Sequence, residues 1–377
     1  MGKHYEVVII GAGSIGMAAG YYLSKLGIKT LLLDLNNPPH DKGSHHGETR
    51  IIRHAYGEGN QYVPLVLRAQ ELWEQLQEES NKQLFLQTGV LCAGAPGSSF
   101  IKEAINSGRE YSLPFEVLSS KEMAYRWPGV TFPEGFTSCY ETRSGILFSE
   151  TCIQAFRDLG LANGMTVLPF TKAEKIEVHL NGATIRTAND TYHTDFVVVS
   201  AGAWSGKLLK DLGLDLSLQP IRKTVSWFKC DPELYDSSVF PAFTVDLLYA
   251  HYYGFPSIGS SGFKIGRHDG GVQVDPDEAV SPYGPNDEKE IRSFLRKYMP
   301  SANGPLAEGR TCFYTLTPDE HFILDQHPEY PHMFISAGFS GHGFKFASVV
   351  GEVISQVITK GESYYDLTKF SIKRFKK

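Results

Sequence analysis

The first hydrophobic blocks of the chain predict a strand, a helix and a second strand. Val7–Ile10 is a short, β-branched apolar run typical of a buried strand, and Thr30–Leu33 is a second apolar run that ends at Asp34. Between them, Met17–Leu26 has the composition of a helix, and Gly27 is placed to end it. The chain therefore opens with a predicted βαβ unit.

A glycine-rich turn joins the first predicted strand to the helix. Gly11 permits the tight turn, Gly13 lets the backbone approach a pyrophosphate, and Gly16 lets the helix pack on the strand. The helix N-terminus offers free N–H groups to phosphates, and Asp34 is placed to accept hydrogen bonds from ribose hydroxyls. The acidic residue favours FAD or NAD over NADP. The alternative, a glycine-rich turn without a ligand, does not explain why strand, helix and acid occur together.

The rest of the chain alternates between helical and strand-like patterns. The clearest helix places apolar residues at i, i+3, i+4, i+7 and onward from Phe346 to Ile358, and Gly361 is placed to cap it. Other predicted helices span residues 62–77, 119–127 and 147–162. Predicted strands span 85–93, 166–178, 183–187 and 196–200, and a large antiparallel sheet is expected over 223–264.

Composition narrows the class of protein. The chain has 377 residues, 36 basic against 42 acidic ones, and a formal net charge of −6, so no nucleic-acid partner is expected. Its five cysteines are scattered without a CxxC spacing, which argues against a zinc site and a disulfide framework and suits a reducing compartment. No apolar run is long enough to span a membrane, and no signal-peptide pattern is present. We expect a cytoplasmic protein without a metal.

Two arginines lie in a segment dense in glycine and polar groups. Arg50 and Arg53 are three residues apart and would share one face of a helix. Beside a nucleotide, such a pair would clamp a carboxylate, although a solvated basic surface explains the composition equally well. The neighbouring His45 and His46 are adjacent, so they do not share a helix face and do not predict a metal site.

Two further segments carry chemistry on a predicted strand face. Lys264 and His268 would lie on one face with a glycine between them, leaving a gap that a ligand could enter, or they would form the polar outer face of a sheet. Arg310, Cys312 and Tyr314 would share another face, where a cation would lower the pKa of the thiol. A buried structural cysteine is the alternative.

A glycine-rich loop at 338–343 precedes the last helix. Its backbone N–H groups, including those around Gly341 and Gly343, would hold an electron-rich ring edge, and Lys345 would bind an anion. A simple capping loop would have the same composition. Among the usual catalytic motifs, neither a nucleophile elbow, a Walker loop nor an HExxH sequence occurs, so hydrolase and kinase functions have no support.

Four stretches together resemble the family of monomeric sarcosine oxidase and N-methyltryptophan oxidase. They are GAGSIGMAAG at 11–20, GSHHGETRIIRHAYG at 43–57, YYGFP at 252–256 and SGHGFKF at 340–346. The resemblance spans essentially the whole chain. It implies an α/β (overall α+β) fold, with a Rossmann-like FAD-binding domain interwoven with a substrate domain built on a large, mainly antiparallel sheet. The expected FAD-binding domain covers 1–85, 146–220 and 320–377, and the substrate domain covers 86–145 and 221–319.

The resemblance also implies a role for individual residues. Cys312 matches the cysteine that carries the flavin covalently. Arg53 and Lys345 match the pair that binds the substrate carboxylate, and Lys264 matches the lysine associated with oxygen activation. Further matches place catalytic residues at Arg50, His46, Thr49 and His268, substrate contacts at Tyr253, Tyr314 and Thr244, and cofactor contacts at Gly11, Gly13, Gly16, Asp34, Gly341 and Gly343.

The implied activity is oxidative demethylation of an N-methyl amino acid with oxygen as acceptor. Thr244 stands where sarcosine oxidases usually carry a bulkier methionine, and segments 222–223, 240–244, 264–271 and 365–368 resemble the N-methyltryptophan branch of the family. N-Methyl-L-tryptophan is therefore the expected substrate, with sarcosine as the alternative inside the class. A nicotinamide-dependent dehydrogenase and a non-catalytic flavoprotein are the alternatives outside it. A monomer is expected.

Overall fold

The predicted βαβ unit is present at the start of the fold. In the computed structural model, which describes residues 2–375, strand Lys3–Ile10 leads into helix Ser14–Lys25 and strand Thr30–Leu33. The two strands are parallel and fully buried at their carboxyl ends, as a strand covered on both faces requires. The second strand has the bounds that its apolar run predicts.

The first sheet, called here the nucleotide-side sheet, is built around parallel pairs. Strand Lys3–Ile10 is central, with Thr30–Leu33 on one side and Thr191–Val199 on the other. Strand Met333–Ala337, from near the end of the chain, pairs in parallel with Thr191–Val199. Within residues 2–375 this sheet has eight strands: Lys3–Ile10, Thr30–Leu33, Thr166–Leu168, Lys175–His179, Gly182–Arg186, Thr191–Val199, Ile323–Gln326 and Met333–Ala337.

The second sheet, called here the roof sheet, is mainly antiparallel. Its longest pairing joins strands Gln219–Phe228 and Leu306–Leu316 over ten register positions. One parallel pair, between Val90–Gly94 and Ala242–Asp246, joins its two halves. In the described part of the chain its strands are Val90–Gly94, Glu116–Ser119, Thr137–Glu141, Gln219–Phe228, Ala242–Asp246, His251–Phe255, Phe263–Arg267, Val272–Gln273 and Leu306–Leu316.

Helices cover the nucleotide-side sheet and frame the roof sheet. The last long helix ends at Gly361, whose left-handed backbone (φ +83°) accounts for the glycine there. This helix packs closely on the first one, because a Cβ added at Gly351 would lie 2.7 Å from the Cβ of Ala18. The α-helices are Ser14–Lys25, Val63–Ser80, Ser99–Glu110, Ser120–Arg126, Ser149–Ala162, Ser205–Asp211, Pro232–Tyr235, Pro285–Tyr298 and Ala347–Lys360.

Three predicted elements differ from the structure. The strand predicted over 85–93 is two strands, Phe85–Leu86 and Val90–Gly94, which belong to different sheets. The helix predicted from residue 147 begins at Ser149, because Gly145–Phe148 is a strand that pairs with Thr49–Ile52 and Phe85–Leu86 in a small third sheet. The strand predicted over 166–178 is interrupted, since residues 169–174 separate its two ends. Short apolar runs do not distinguish helix from strand, and tertiary pairing decides between them.

The predicted fold class is confirmed: a nucleotide-type α/β layer combines with a large, mainly antiparallel sheet. The chain enters each sheet several times, so the two layers are interwoven. We propose the domain division 1–85, 146–220 and 320–377 against 86–145 and 221–319. No helix in residues 2–375 has the length and apolarity needed to cross a membrane.

Candidate active site

A cleft of about 520 Å³ opens at the carboxyl ends of the parallel strands in the nucleotide-side sheet. This is where open α/β sheets bind ligands. Asp34 lies at its edge, where its carboxylate accepts hydrogen bonds from the backbone N–H groups of Ala12 and Asn36, both at 2.8 Å. Burial opposes ionisation of Asp34, but His40, 3.3 Å away, and the two N–H groups lower its pKa. The ionised carboxylate of Asp34 can therefore accept hydrogen bonds at the edge of the cleft.

The glycines of the first turn fit the shape that a dinucleotide needs. A Cβ at Gly11 (φ +96°) would lie 2.5 Å from the carbonyl oxygen of Ser200, and one at Gly16 would lie 1.9 Å from the Gly11 carbonyl oxygen. At Gly13 the nearest atom would be 3.6 Å away, on His45, so this backbone faces open space in the cleft. A pyrophosphate can approach the backbone there, and the residues present fit a bound dinucleotide such as FAD.

The predicted cofactor residues divide into three groups. Gly11, Gly13, Asp34, Gly341 and Gly343 all line the cleft. The third glycine of the turn instead packs the helix on the strand, as its predicted role requires. The predicted attachment cysteine lines a second, smaller cavity next to the cleft.

This second cavity, of about 80 Å³, lies between the cleft and the roof sheet. It shares Arg50, Tyr314, Gly341 and Phe344 with the cleft, so the two spaces meet at these residues. The cavity brings together residues far apart in sequence: Arg50, Ile51, Arg53, Glu58, Thr244, His251, Tyr253, Phe255, His268, Cys312, Tyr314, Gly341, His342, Phe344 and Lys345. All five predicted substrate-binding residues are among them.

Arg50 is held at the junction by backbone carbonyl groups. Its guanidinium donates hydrogen bonds to the carbonyl oxygens of Ser44, His46 and Thr49, each at 2.7 Å. The guanidinium also lies 5.9 Å from the ring centroid of Phe344. A fixed positive charge is thus placed between the cleft and the small cavity.

Arg53 is buried and already paired with a carboxylate. Its Nη2 donates to both oxygens of Glu58, at 2.6 and 2.7 Å, and the guanidinium lies between the rings of Tyr56 and Phe100. Burial would raise the pKa of Glu58, but Arg53 holds it well below its usual range. The prediction that Arg50 and Arg53 share one face of a helix is wrong, because residues 49–52 form a strand that ends just before Arg53.

Lys345 lies on the other side of the same cavity. Its Nζ donates to the hydroxyl of Tyr56 at 3.2 Å and to the carbonyl oxygen of His342 at 2.9 Å. Burial and the neighbouring Arg53 charge lower its pKa to about 7. Two buried cations with a single carboxylate, Glu58, form a site that can accept a further negative charge.

Lys264 does not line the small cavity. Its ammonium is fully buried and donates to the Thr49 carbonyl oxygen at 3.0 Å, the Thr49 hydroxyl at 2.9 Å and the Gly47 carbonyl oxygen. Burial, followed by the charge of Arg50, lowers its pKa well below the usual range. Lys264 and His268 therefore do not border one gap for a ligand, as their predicted shared strand face implied. The strand ends at Arg267, and only His268 lines the cavity.

His46 lies close to this group and is buried. Neither ring nitrogen has a hydrogen-bond partner among residues 2–375. Burial, and then the charge of Arg50, lower its pKa to about 4, so the neutral ring is favoured at neutral pH. Neither His46 nor Thr49 lines the cleft or the small cavity.

The roof sheet supplies the remaining walls of the cavity. The ring centroid of His268 lies 5.5 Å from that of Tyr314 and 6.5 Å from that of Tyr253. Thr244 is opposite Tyr253 in the antiparallel pair, and its buried hydroxyl has no partner in the described chain. A Cβ at Gly341 would lie 2.2 Å from the Tyr314 ring, so the glycine-rich loop needs glycine to sit against this wall.

The sequence suggests Arg310 as the cation next to Cys312, but the structure places other cations there. Arg310 pairs with Glu308 instead, while Lys223 lies opposite Cys312 in the antiparallel register. Burial raises the pKa of Cys312, and the charges of Arg50 and Lys223 act in the opposite direction. The sequence argument for a lowered thiol pKa is therefore wrong.

Several cavity residues have no sequence signal that would have identified them. Glu58 follows Arg53 by five residues but is otherwise an ordinary acidic residue between glycines. His251 and His342 line the cavity, and buried Lys223 donates to the carbonyl oxygens of the loop after His268. Only the fold brings these groups to the site. Among the described residues no cluster of three or more His, Cys, Asp or Glu side chains could hold a metal.

Comparison with known proteins places the chain in a family. The profile of the DAO family, described as FAD dependent oxidoreductase, matches residues 6–357. Monomeric sarcosine oxidase of Bacillus sp. (strain NS-129) is 51% identical over 99% of this chain and 98% of its own length. N-Methyl-L-tryptophan oxidase of Yersinia pestis (strain Pestoides F) is 40% identical over 99% of this chain and all of its own.

Solved structures agree on the fold. L-Proline dehydrogenase from P. horikoshii is similar with a TM-score of 0.87 at 22% identity, covering all of this chain and 98% of the other. The amino acid oxidase NikD gives a TM-score of 0.86 at 19% identity, covering 98% and 97%. The resemblance to the monomeric sarcosine oxidase and N-methyltryptophan oxidase group is confirmed, and this chain belongs to the family of FAD-dependent oxidoreductases.

Proposed function

We propose that this enzyme is an oxidase of N-methyl amino acids, with FAD as cofactor and oxygen as electron acceptor. The observation that carries the proposal is the small cavity, where two buried cations, Arg53 and Lys345, lie next to the junction with the cofactor cleft. The products would be the primary amino acid, formaldehyde and hydrogen peroxide. The family membership and the names of the relatives support the same class of reaction.

The substrate carboxylate is bound by Arg53 and Lys345 in this proposal. Charge-assisted hydrogen bonds from both cations fix one end of the substrate, so that its N-methyl group points toward the junction at Arg50. Because Glu58 already occupies the Arg53 guanidinium, the incoming carboxylate must compete with it or share the arginine. Lys345 has no acidic hydrogen-bond partner in the described residues and offers the first point of contact.

FAD, when bound, would supply the redox chemistry: it would take up the hydride equivalent of the substrate N-methyl C–H bond as a C=N bond forms, oxygen would reoxidise it to give hydrogen peroxide, and water would hydrolyse the imine. The side chains of the chain prepare the space around that chemistry. Tyr253, Tyr314 and His268 exclude water from the cavity, and Arg50 contributes a fixed positive charge that stabilises negative charge at the junction. We propose that His46 and Thr49 are positioning residues, because their backbone carbonyl groups hold the guanidinium of Arg50.

A peroxide assay with the purified, yellow holoenzyme tests the function. Sarcosine, N-methyl-L-tryptophan and proline analogues are supplied in turn, and hydrogen peroxide, formaldehyde and oxygen uptake are measured together. Oxygen consumption without added nicotinamide is expected for an N-methyl amino acid. A nicotinamide-dependent dehydrogenase would leave oxygen unchanged, and a non-catalytic flavoprotein would give no product with any substrate.

Within the class, we propose a substrate of the size of sarcosine. The cavity of about 80 Å³ is far smaller than the roughly 300–1,000 Å³ typical of pockets for drug-sized ligands. The greater identity to the sarcosine oxidase relative supports the same choice. N-Methyl-L-tryptophan is the second candidate, because threonine at position 244 leaves more room than a methionine would.

Replacing Thr244 by methionine distinguishes these substrates. If this wall sets the side-chain space, Thr244→Met is expected to lower kcat/KM for N-methyl-L-tryptophan at least about tenfold more than for sarcosine, since overpacking costs roughly 1–3 kcal/mol. Steady-state kinetics on both substrates measures the ratio, with Thr224→Met outside the cavity wall as the matched control. Equal losses on both substrates would show that position 244 does not determine specificity.

Lys264 is proposed to support the reaction with oxygen. Its buried ammonium places positive charge near the junction without lining the substrate cavity. Lys264→Met is expected to leave substrate affinity unchanged and to slow the reaction of the reduced holoenzyme with oxygen about tenfold or more, which corresponds to roughly 1.4 kcal/mol of lost charge stabilisation. Stopped-flow mixing with oxygen measures the rate; a normal rate would exclude this role.

We also propose that FAD is attached covalently through Cys312. Cys312 lines the small cavity two residues before Tyr314, which the cavity shares with the cofactor cleft, and the charges of Arg50 and Lys223 act on its thiol. Acid precipitation of the purified protein is expected to leave the yellow colour in the pellet, and the intact mass should exceed the chain mass by one FAD. Cys312→Ala should release its flavin into the supernatant, whereas Cys152→Ala should not. Soluble flavin from the unmodified enzyme would rule out the covalent link.

The other partners proposed are small molecules only, an N-methyl amino acid and oxygen. One relative carries "monomeric" in its name. For this chain, a monomeric state and a cytoplasmic location stay predictions that size-exclusion chromatography and cell fractionation can test.

A further inference from the structure

Two of the five cysteines face each other directly across two strands of the roof sheet. Cys92, in strand Val90–Gly94, is the register partner of Cys139, in strand Thr137–Glu141, in an antiparallel pair. Both side chains are fully buried in the same apolar cluster, and neither thiol is in a disulfide. Directly opposed positions place both side chains on one face of the sheet.

The distance that this register imposes is compatible with a disulfide bond. Opposed residues in antiparallel strands have Cα atoms about 4.5–5.5 Å apart. Disulfides in proteins span Cα separations of about 4.4–6.8 Å. The backbone therefore already holds Cys92 and Cys139 at a distance that allows oxidation without a change of fold.

The same pair lies directly behind the wall of the small cavity. Cys92 is opposite Thr244 in the parallel pair, and Thr244 lines the cavity, so both side chains lie on the cavity face of the sheet. The charge of Arg53, another cavity residue, also acts on Cys92. Neither cysteine lines the cavity, so a small neutral oxidant produced there would reach Cys92 past neighbouring side chains such as Thr244.

We propose that Cys92 and Cys139 form a dithiol that hydrogen peroxide, the product of the reaction proposed above, oxidises to an intramolecular disulfide. In the first step the Cys92 sulfur attacks one peroxide oxygen, the O–O bond breaks, and sulfenic acid and water form. In the second step the Cys139 sulfur attacks the sulfenic sulfur, the S–S bond forms, and a second water leaves. One peroxide is reduced for each pair of thiols oxidised.

Burial makes this a slow, cumulative modification. Burial raises the pKa of Cys92 to about 11 and also raises that of Cys139; Glu141 acts in the same direction on both thiols and Glu58 on Cys92, whereas the charge of Arg53 opposes them. Because the thiolate is the nucleophile, its fraction rises about tenfold per pH unit below that pKa. The oxidation rate is therefore expected to increase between pH 7 and pH 9.

The test uses the holoenzyme with Cys230→Ala, which removes the half-buried thiol that could react on its own. The protein is exposed to hydrogen peroxide, then unfolded in an alkylating reagent and digested. The expected product is one peptide pair, linked through Cys92 and Cys139 and lighter by two hydrogen atoms than the separate peptides. Adding Cys92→Ala or Cys139→Ala should abolish the linked pair, and Cys152→Ala, at a buried cysteine outside the pair, should retain it.

A second arm replaces added peroxide by turnover of the best N-methyl amino acid, with and without catalase. The linked pair should accumulate during turnover and decrease with catalase. The proposal is wrong if added peroxide leaves Cys92 and Cys139 fully alkylated, or links other cysteines. If added peroxide forms the link but no N-methyl amino acid yields peroxide, the dithiol stands and the proposed function fails. If turnover yields peroxide without the link, the dithiol is not a target of the enzyme's own product.

Discussion

Replacing Lys345 by methionine is expected to raise KM for the N-methyl amino acid about ten- to a hundred-fold, while the FAD content stays the same. The substituted side chain loses a charge-assisted hydrogen bond to the substrate carboxylate, which contributes roughly 1.5–3 kcal/mol. Lys345 lines the small cavity next to Arg53, whereas the turn that contains Gly11 and Gly13 lines the separate cofactor cleft. Steady-state kinetics and the flavin absorbance of the purified variant measure the two effects.

The pH dependence of carboxylate binding provides an independent check. The pKa of Lys345 is lowered to about 7, so the ammonium is charged below that pH and loses its charge above it. Inhibition by acetate, which has no amine to titrate, should therefore weaken as the pH rises from 6 to 9. Lys345→Met should bind acetate weakly at every pH, and Lys360→Met, an exposed lysine at the far end of the neighbouring helix, should behave as the unmodified enzyme. Unchanged affinity in Lys345→Met would exclude it from the carboxylate site.

Arg53→Met is expected to destabilise the fold by about 3 kcal/mol, the low end for a buried pair, because it leaves the partly buried carboxylate of Glu58, 23% exposed, without its arginine partner. One guanidinium nitrogen, Nη2, donates to both carboxylate oxygens, and the arginine is only 4% exposed. Replacing both residues, as Arg53→Met with Glu58→Met, should recover part of the loss, since neither member of the pair is then left without the other, although Lys345 also loses its neighbouring carboxylate. The midpoint of urea unfolding, at unchanged slope, measures these differences.

The outcome for the double variant separates two explanations. Recovery of stability with continued loss of carboxylate binding would mean that Arg53 serves the substrate and Glu58 balances its charge. If the double variant is as unstable as Arg53→Met, the packing of the guanidinium between Tyr56 and Phe100 would be the larger contribution. Arg68→Met, which breaks a more exposed ion pair with Glu352, is the matched control and should cost about 1 kcal/mol or less.

Local pattern was sufficient for the nucleotide side of the site. The turn from Gly11 to Gly16 and the acid at Asp34 follow from the strand and helix that flank them, and such a unit is complete within about 30 residues. The structure places Gly11, Gly13 and Asp34 along the cleft, and the hydrogen bonds to Asp34 come from Ala12 and Asn36, close to the same unit. Short-range physics was therefore enough to predict them.

The small cavity depends on contacts between distant residues, which a periodic pattern does not encode. The spacing of Arg50 and Arg53 suggested a helix, but pairing with strand Gly145–Phe148 makes residues 49–52 extended. The partner of Arg53, Glu58, and the carbonyl partners of Lys264 are also determined by tertiary packing. Resemblance to a family identified the cavity residues, although it did not indicate how they are paired.

The neighbourhood of Cys312 illustrates a limit of strand alternation. Alternation correctly places Tyr314 on the cavity side with Cys312, but Arg310 turns to Glu308. The cation next to the thiol comes from the opposite strand, at Lys223. Alternation within one strand does not say which charges other segments contribute, and at Cys312 these are Arg50 and then Lys223, both acting against the larger effect of burial.

The late insertion of strand Met333–Ala337 has a consequence for synthesis of the protein. This strand lies beside Thr191–Val199, and helix Ala347–Lys360 covers Ser14–Lys25, the helix at the nucleotide turn. During translation the first helix therefore leaves the ribosome more than 300 residues before its partner does. Helix Ser149–Ala162 can cover one part of the apolar surface of the first helix earlier, but the part that packs on the last helix stays uncovered until nearly the whole chain has emerged. Stable FAD binding, and with it a working enzyme, can only follow release of the last helix.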